Sequence, residues 1–139
     1  MKHDRMTDAI LKERFGKDSL IALATVENGA PHVRTVDSVY IDGDFYVVTH
    51  GLSGKMQQIE RHSTVGISGE WFTGHGRAQS LGHVLAPENC TLMEILRPAF
   101  ATWYGNGLVD ESDPNTVLLK IVLTDGVLMK HGQRFSFPD

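Results

Sequence analysis

Apolar and polar residues alternate along much of the chain, in short runs that predict about seven β-strands. The strand-like runs are 20–26, 32–41, 45–49, 64–68, 72–81, 116–123 and 127–131. Asn-Gly at 28–29 and Asp-Gly at 42–43 and 125–126 lie between consecutive runs, and two-residue turns of this kind join antiparallel strands. The pattern predicts a mainly β protein, a small antiparallel barrel, and it excludes a doubly wound parallel sheet.

Short helices are predicted to flank this barrel, which makes the expected class α+β. The first helix is predicted over Thr7–Phe15, with Thr7 as its N-cap, and the second over Lys55–His62. The third covers 87–104, and Pro98 predicts that it breaks into two pieces. The last residues, 132–139, are too few to classify, although their two phenylalanines are expected to anchor them.

The run 72–81 has faces of unequal size. After Phe72, one face carries small residues, namely Gly74, Gly76, Ala78 and Ser80. A strand face without bulky side chains allows close approach of another group. The pattern therefore predicts a surface against which something flat can lie.

Composition and charge bound the class of protein. The chain has 139 residues, with 41% hydrophobic and 22% charged, which predicts one globular domain over 1–139. The net charge of −4 argues against binding nucleic acid or an anionic membrane, because both favour clustered Lys and Arg. A local positive pocket is compatible with that balance.

The single cysteine, Cys90, has no second thiol with which to form a disulfide or a redox pair. Its position in the third predicted helix favours a small apolar filler of the core. The charged first residues lack the apolar segment of a signal peptide, and the longest apolar stretch, Leu20–Ala24, is too short to span a bilayer. We therefore expect a cytoplasmic protein.

The stretch Thr49-His50-Gly51-Leu52-Ser53-Gly54-Lys55 joins a strand to a helix. A helix N-terminus presents free N–H groups to an anion, and hydroxyls, glycines and a lysine beside it suit a phosphate. The spacing is not that of a Walker loop. The alternative is an ordinary capped turn, in which Ser53 is the N-cap and Lys55 lies in solvent.

Other chemistry has less support in the sequence. The histidines show no spacing typical of a metal site, so no metal is predicted. His50 adjoins the phosphate cradle and is either a ligand contact or a solvated turn residue. Asp37, inside a strand, is expected to pair with Arg34 or with the basic group of a neighbour, or to be exposed on the barrel. No Ser-His-Asp or Cys-His set is evident, so no catalytic residue is assigned.

An ordered set of residues carries a resemblance to a known family. Arg34 lies on the second strand, Thr49 ends the third, and Ser53, Lys55 and Gln58 open a helix before the next strand. This order, over about 20–82, resembles the pyridoxamine 5′-phosphate oxidase-like family of FMN-binding split barrels. The resemblance implies a split β-barrel and FMN as cofactor.

The resemblance also implies which positions contact FMN. The arginine of the second strand binds the phosphate, and its neighbours face the flavin ring. Gly54 stands where many members carry a basic residue, and Arg77 lies near the pyrimidine edge of the ring. The implied contacts are Val33, Arg34, Thr35, Val36, Thr49, His50, Ser53, Gly54, Lys55, Gln58 and Arg77.

In this family the flavin lies between two subunits, so the resemblance implies a homodimer. A flat cofactor needs both faces covered, and Trp71, Phe72 and Trp103 are candidates for covering it, although Trp103 also suits a core position. The implied activity is an FMN-dependent oxidoreductase acting on an unknown small-molecule substrate or electron acceptor, with NAD(P)H as a candidate donor. The end of the chain, 130–135, does not reproduce the substrate-binding pattern of pyridoxamine phosphate oxidation.

Two alternatives are retained. In the first, the protein is a non-catalytic module that binds flavin, the deazaflavin F420 or haem, because no substrate pocket is evident in the sequence. In the second, the cradle is an ordinary turn in a barrel that binds no ligand. Stoichiometric binding of a coloured cofactor, and its turnover, separate these alternatives.

Overall fold

Strands follow one another along most of the chain in the computed structural model, which describes residues 4–138. Seven strands are present in that range: β1 Ser19–Glu27, β2 Ala30–Ile41, β3 Asp44–His50, β4 Thr64–Gly69, β5 Phe72–His83, β6 Thr116–Lys130 and β7 Gln133–Phe137. The helices there are α1 Arg5–Phe15, α2 Gly54–Arg61, α3 Cys90–Ala99 and the single turn α4 Ala101–Trp103, with further turns at Pro87–Asn89 and Tyr104–Leu108.

Six of these strands close into an antiparallel barrel. Their order is β3-β2-β1-β4-β5-β6, and β3 pairs with β6 to complete the circle, while β7 adds to the far side of β6. All the pairings are antiparallel. The small antiparallel barrel with flanking helices is therefore confirmed.

Two of the predicted turns form as the sequence indicated. Asn28 and Gly29 between β1 and β2 have φ of 52° and 79°, and Asp42 and Gly43 between β2 and β3 have φ of 48° and 96°. Positive φ at both central residues is what a type I′ hairpin turn requires, and Asn, Asp and Gly adopt it most readily. These local signals fix the pairing of β1, β2 and β3.

The hairpin predicted at Asp125-Gly126 is wrong. β6 continues through these residues, and its register with β5 shifts nearby, between His75 and Gly76. Gly126 is needed for packing rather than for a turn, since a Cβ there would lie 2.6 Å from the ring of Phe137. The turn comes later in the chain, where His131 and Gly132 have positive φ.

The barrel interior is filled by aromatic rings from several elements. Phe15 of α1 contacts Phe45 of β3 at 5.6 Å between ring centroids and Phe72 of β5 at 5.8 Å. Phe137 of β7 stacks on Phe72 and is buried, so the end of the chain is anchored as expected. α1 thus closes one side of the core.

The first helix begins earlier than predicted. Asp4, not Thr7, is its N-cap, and the Asp4 carboxylate accepts a hydrogen bond from the backbone N–H of Thr7 at 2.8 Å. Thr7 is buried inside the first turn. An aspartate just before a helical segment is itself a capping signal, because its short side chain reaches the N3 donor.

The small-residue face of β5 does not hold a flat ligand. A Cβ at Gly76 would lie 2.8 Å from the side chain of Ile121, and one at Gly74 would lie 2.5 Å from the carbonyl oxygen of Asp125. Ala78 on the same face is buried in the core. These residues are small because β6 and the core approach β5 closely, so this prediction is wrong.

A second apolar cluster lies outside the barrel, where α3 packs Met93, Leu96 and the following Phe100 against Val39 of β2 and Leu118 of β6. The helical region breaks after Ala99, next to Pro98, as predicted. Cys90 is exposed rather than a filler of the core. Of the described helices, none has the length and apolar character needed to cross a membrane.

Candidate functional site

Arg34 is held on the inner side of β2. Its Nη1 donates to the hydroxyl of Thr25 at 2.7 Å and to the carbonyl of Leu23 at 3.2 Å, and its Nη2 donates to Oε1 of Gln58 at 3.2 Å. Thr25 and Gln58 are buried. In the part of the chain that the structure describes, no carboxylate forms an ion pair with this guanidinium, so its charge is not neutralised locally.

Lys55 lies in the first turn of α2 and is half-buried. Its ammonium donates to the hydroxyls of Thr49 and Ser53. Burial lowers the pKa of Lys55, and the nearby positive charge of Arg34 lowers it further. The structure therefore brings the two predicted cations within electrostatic reach of each other. Among residues 4–138, Lys55 also has no carboxylate in an ion pair with it.

The turn before α2 has features of both structures that the sequence allowed, a phosphate cradle and an ordinary capped turn. Ser53 is the N-cap, and its hydroxyl accepts from the backbone N–H of Met56 at 3.4 Å. Lys55, however, is turned toward Thr49 rather than into solvent. Gly54 is exposed, and a Cβ on it would meet nothing within 4 Å. The N-terminus of α2 is thus open to a group that approaches beside Lys55.

A cleft of about 490 Å³ adjoins this turn. This volume lies within the range of small-molecule sites. Thr49 and Lys55 line it, and Val36, Val48 and Trp103 provide apolar surface. The remaining lining residues are Asp37, Val47, His50, Val109, Asp110, Asp113 and Thr116. The cleft therefore combines one lysine with apolar and aromatic walls. Of its three aspartates, Asp113 contacts His50 and Asp110 accepts from Ser112.

Not every predicted contact reaches this cleft. Arg34 and Val36 face inward along β2, but of these two only Val36 lines the cleft. Ser53, Gly54 and Gln58 do not line it either. Val33 and Thr35 are exposed on the outer face. Arg77 is exposed on β5, paired in register with Thr64 of β4, and does not line the cleft. Alternation along a strand separates these side chains. Within one chain, the structure does not bring the outward-facing residues together with Lys55.

The three aromatic residues that are candidates for covering a flavin lie in different environments. Trp71 is 70% exposed in the turn between β4 and β5, away from the cleft. Phe72 is buried in the barrel core, so it is not available to cover a ligand. Trp103 is half-buried and lines the cleft of its own chain while packing on Phe100 at 4.8 Å between ring centroids.

Asp37 does not pair with Arg34. The two residues are three apart on β2 and face opposite sides of the strand. Asp37 instead lies beside Asp18, and burial together with this second carboxylate raises the pKa of Asp37 to about 6. Asp18 was not singled out in the sequence. A carboxylate just before a strand carries no local signal of such a contact.

His50 links the cradle to the loop after α4. Its Nε2 lies 3.1 Å from Oδ2 of Asp113, and its Nδ1 accepts from the backbone N–H of Leu52 at 3.3 Å. With Nδ1 as acceptor, the neutral ring carries its proton on Nε2 and donates to Asp113. A backbone hydrogen bond from Asn115 lowers the pKa of Asp113, and His50 adds to this effect.

The loop 109–115, which sequence reasoning did not assign to the site, forms one wall of the cleft. Glu111 holds it in place, because its carboxylate accepts from Arg97 at 2.8 Å and from the hydroxyl of Tyr104. His83 also contacts the backbone carbonyl of Glu111, at 2.7 Å. This wall is thus tied to α3 and β5.

No protein-family model and no curated protein sequence matches the chain. Solved structures do. A NimC/NimA family protein from Clostridium acetobutylicum is 21% identical, with 98% of this chain and 96% of that one covered and a TM-score of 0.69. General stress protein 26 from Bacillus anthracis is 20% identical, with 93% and 97% covered and a TM-score of 0.70.

A third structure is a pyridoxamine 5′-phosphate oxidase-related, FMN-binding protein from Nostoc punctiforme. It is 16% identical, with 95% of this chain and 87% of that one covered and a TM-score of 0.59. The fold is also found in a FAD-binding protein from Mesorhizobium loti and a heme binding protein from Mycobacterium smegmatis, at 12% and 13% identity. The chain thus has the fold that the resemblance to pyridoxamine 5′-phosphate oxidase-like proteins implied.

Proposed function

We propose that this protein binds FMN, with the phosphate beside Lys55 and Arg34 and the ring in the adjoining cleft. The observation that carries the proposal is a pair of half-buried cations, Lys55 at the start of α2 and Arg34 on β2, which no carboxylate of the described residues neutralises. A doubly charged phosphate would relieve their mutual repulsion. Half-buried charges favour a partner of opposite sign because solvent screens them incompletely.

The donor set fits a phosphate in number as well as in charge. Lys55 and the Ser53 hydroxyl lie at the N-terminus of α2, where backbone N–H groups add further donors. Nη1 of Arg34 donates to three acceptors, and Nη2 donates to Gln58. The Nε–H of Arg34 makes no hydrogen bond with the described residues. Guanidinium retains donors for a second contact.

The apolar part of the cleft would take the flavin ring. Val36 and Trp103 offer apolar and aromatic surface in the cleft that Lys55 also lines. One chain covers the ring from one side, and we infer that a second copy covers the other in a homodimer. A second subunit could also place the ligand in contact with Val33, Thr35 and Arg77, which face outward and do not line the cleft of their own chain.

When bound, FMN would supply the hydride chemistry, and the chain would contribute binding, orientation and electrostatics. We infer an oxidoreductase with an unassigned substrate or electron acceptor, for which NAD(P)H is a candidate donor. No residue is assigned a catalytic role. A cytoplasmic location is proposed from the single cysteine.

The test is the absorbance spectrum of the purified protein, followed by titration of the stripped protein with FMN. We expect a flavin spectrum, a stoichiometric complex, and loss of affinity in the double variant Arg34→Ala, Lys55→Ala. Lys12→Ala removes an exposed cation on α1 that does not line the cleft, and it is the control. Full affinity in the double variant would overturn the proposed phosphate site.

A second measurement separates an enzyme from a binding module. NAD(P)H is added to the FMN complex without oxygen, and bleaching of the flavin followed by reoxidation with an acceptor supports an oxidoreductase. Failure of every donor and acceptor supports a module that only binds the cofactor. A haem or F420 spectrum in the purified protein would replace FMN as the cofactor.

A further inference from the structure

Two carboxyl groups meet at the wall of the cleft beside Trp103. Asp18 precedes β1, and its Oδ2 accepts from the indole N–H of Trp103 at 3.1 Å. Its other oxygen, Oδ1, is the one buried side-chain polar atom among residues 4–138 that has no hydrogen-bond partner. Asp37 lines the cleft, and its register partner on β1 is Leu20, two residues after Asp18. Asp18 and Asp37 therefore lie on the same side of the sheet, within hydrogen-bonding reach of each other.

We propose that Asp18 and Asp37 share one proton, and that this carboxyl pair fixes Trp103 as a wall of the cleft in a pH-dependent way. The proton would lie between Asp37 and Oδ1 of Asp18, which supplies the donor that this buried oxygen lacks. A buried polar atom without a partner is costly, because it has lost its hydrogen bonds to water. The proposal concerns the chain itself and does not depend on the identity of the ligand.

The physical basis is repulsion between like charges that are partly removed from water. Two carboxylates in contact cannot both ionise freely, so one retains its proton to a higher pH. Burial and Asp18 together raise the pKa of Asp37 to about 6, in agreement with this geometry. Asp18 keeps its bond to Trp103 while it accepts the proton on its other oxygen.

The charged groups around the pair have other partners. Of the titratable groups that line the cleft, His50 bonds to Asp113, Lys55 to Thr49, and Asp110 to Ser112. On the strand that carries Asp37, Arg34 faces the interior. On the elements beside Trp103, Tyr104 and Arg97 are bound to Glu111.

Within the described part of the chain, no cation is hydrogen-bonded to Asp37 or forms an ion pair with it. Lys17, next to Asp18 in sequence, forms no ion pair there either. Among the described residues, the indole N–H of Trp103 donates to Asp18, but no cation offsets the repulsion between the two carboxyl groups. Above the pH at which the proton is lost, the pair carries two adjacent negative charges. We expect Asp37 and Asp18 to separate, which changes the surroundings of the indole of Trp103.

The indole itself reports this change. The chain has two tryptophans, so Trp71→Phe leaves Trp103 as the only one. Its fluorescence is titrated from acidic to slightly alkaline pH in the absence of ligand, and we expect a sigmoidal change with a midpoint near pH 6. In the Trp71→Phe, Asp37→Asn variant the change should be absent, with emission close to the low-pH value. The introduced amide does not titrate, and it still offers a donor to Asp18.

Asp110→Asn is the matched control, since Asp110 lines the same cleft but bonds to Ser112 instead of Asp18. This variant should keep the midpoint. An unchanged transition after Asp37→Asn would assign the signal to a histidine and overturn the proposal, as would the absence of any transition in Trp71→Phe.

Carbon-13 NMR of aspartate carboxyl groups in the unsubstituted protein provides a second readout. One or two resonances must titrate near pH 6. Ordinary acidic midpoints for every aspartate would equally contradict the shared proton.

Discussion

The guanidinium Nη2 of Arg34 donates to the side-chain oxygen of Gln58 at 3.2 Å. This contact joins β2 directly to α2, the helix whose first turn carries Lys55. Thr25 of β1 bonds to both partners and is fully buried. The distance between the two cations of the proposed phosphate site is therefore set by a buried polar network rather than by loop conformation.

The first prediction concerns the stability of this network. Gln58→Leu keeps the size of the side chain but removes the partner of Arg34, Thr25 and Glu27. We expect the free energy of unfolding to fall by about 1–3 kcal/mol, the usual cost of unpaired buried polar groups. Urea denaturation measures it. Gln57→Leu, at the exposed neighbouring position, is the control and should change stability by less than about 0.5 kcal/mol; equal losses would refute the role of Gln58.

The second prediction follows from the raised pKa of Asp37. Because this pKa is about 6 in the folded protein and 3.8 in the reference state, the folded state binds more protons between these values. The associated stability is fully present below about pH 4 and is lost as pH rises through 6. Asp37→Asn should therefore become more stable than the natural sequence as pH rises, by less than about 3 kcal/mol.

Denaturation at a series of pH values measures this effect. Glu60→Gln, which removes an exposed carboxylate on α2, controls for the change in net charge and should follow the natural sequence. Curves for Asp37→Asn and the natural sequence that stay parallel from about pH 4 to about pH 7 would show that Asp37 does not titrate as described.

The third prediction concerns glycine in β6. A Cβ at Gly126 would lie 2.6 Å from the Phe137 ring and 2.7 Å from the Phe72 ring. Gly126→Ala should therefore destabilise the protein by about 1–3 kcal/mol, the usual effect of overpacking a core. A Cβ at Gly105 would meet nothing within 4 Å, so Gly105→Ala is the matched control. Similar melting temperatures for the two variants would contradict the packing described at Gly126.

Local sequence chemistry predicted much of the fold. Asn28-Gly29 and Asp42-Gly43 determine their own backbone conformation, so their hairpins were evident without tertiary information. Asp125-Gly126 has the same composition, but its glycine is required by the distant ring of Phe137. A residue selected by packing across the fold cannot be distinguished, in the sequence, from one selected by a turn.

The part of the candidate site that depends on the order of residues along β2 and α2 could be predicted from the sequence. Lys55 and Arg34 are brought close together because short connections join their elements. The contact between Asp37 and Asp18 was missed, although the register of the β1–β2 hairpin, which pairs Ser19 with Ser38, brings the chain before Ser19 beside this part of β2. Arg77 and Val33 face outward, so their proposed role depends on a second subunit.

The most direct test of the proposed site compares FMN with riboflavin, which lacks the phosphate. Charge-assisted hydrogen bonds contribute about 1.5–3 kcal/mol each, so two of them correspond to a loss of affinity of about 10²–10⁴-fold for riboflavin. Isothermal titration of the stripped protein with both ligands measures this ratio. We predict a ratio of that size for the natural sequence and a much smaller ratio for the double variant Arg34→Ala, Lys55→Ala, which keeps only the Ser53 hydroxyl and the backbone N–H groups of α2. Equal affinity of the natural sequence for FMN and riboflavin would contradict a phosphate site at Arg34 and Lys55.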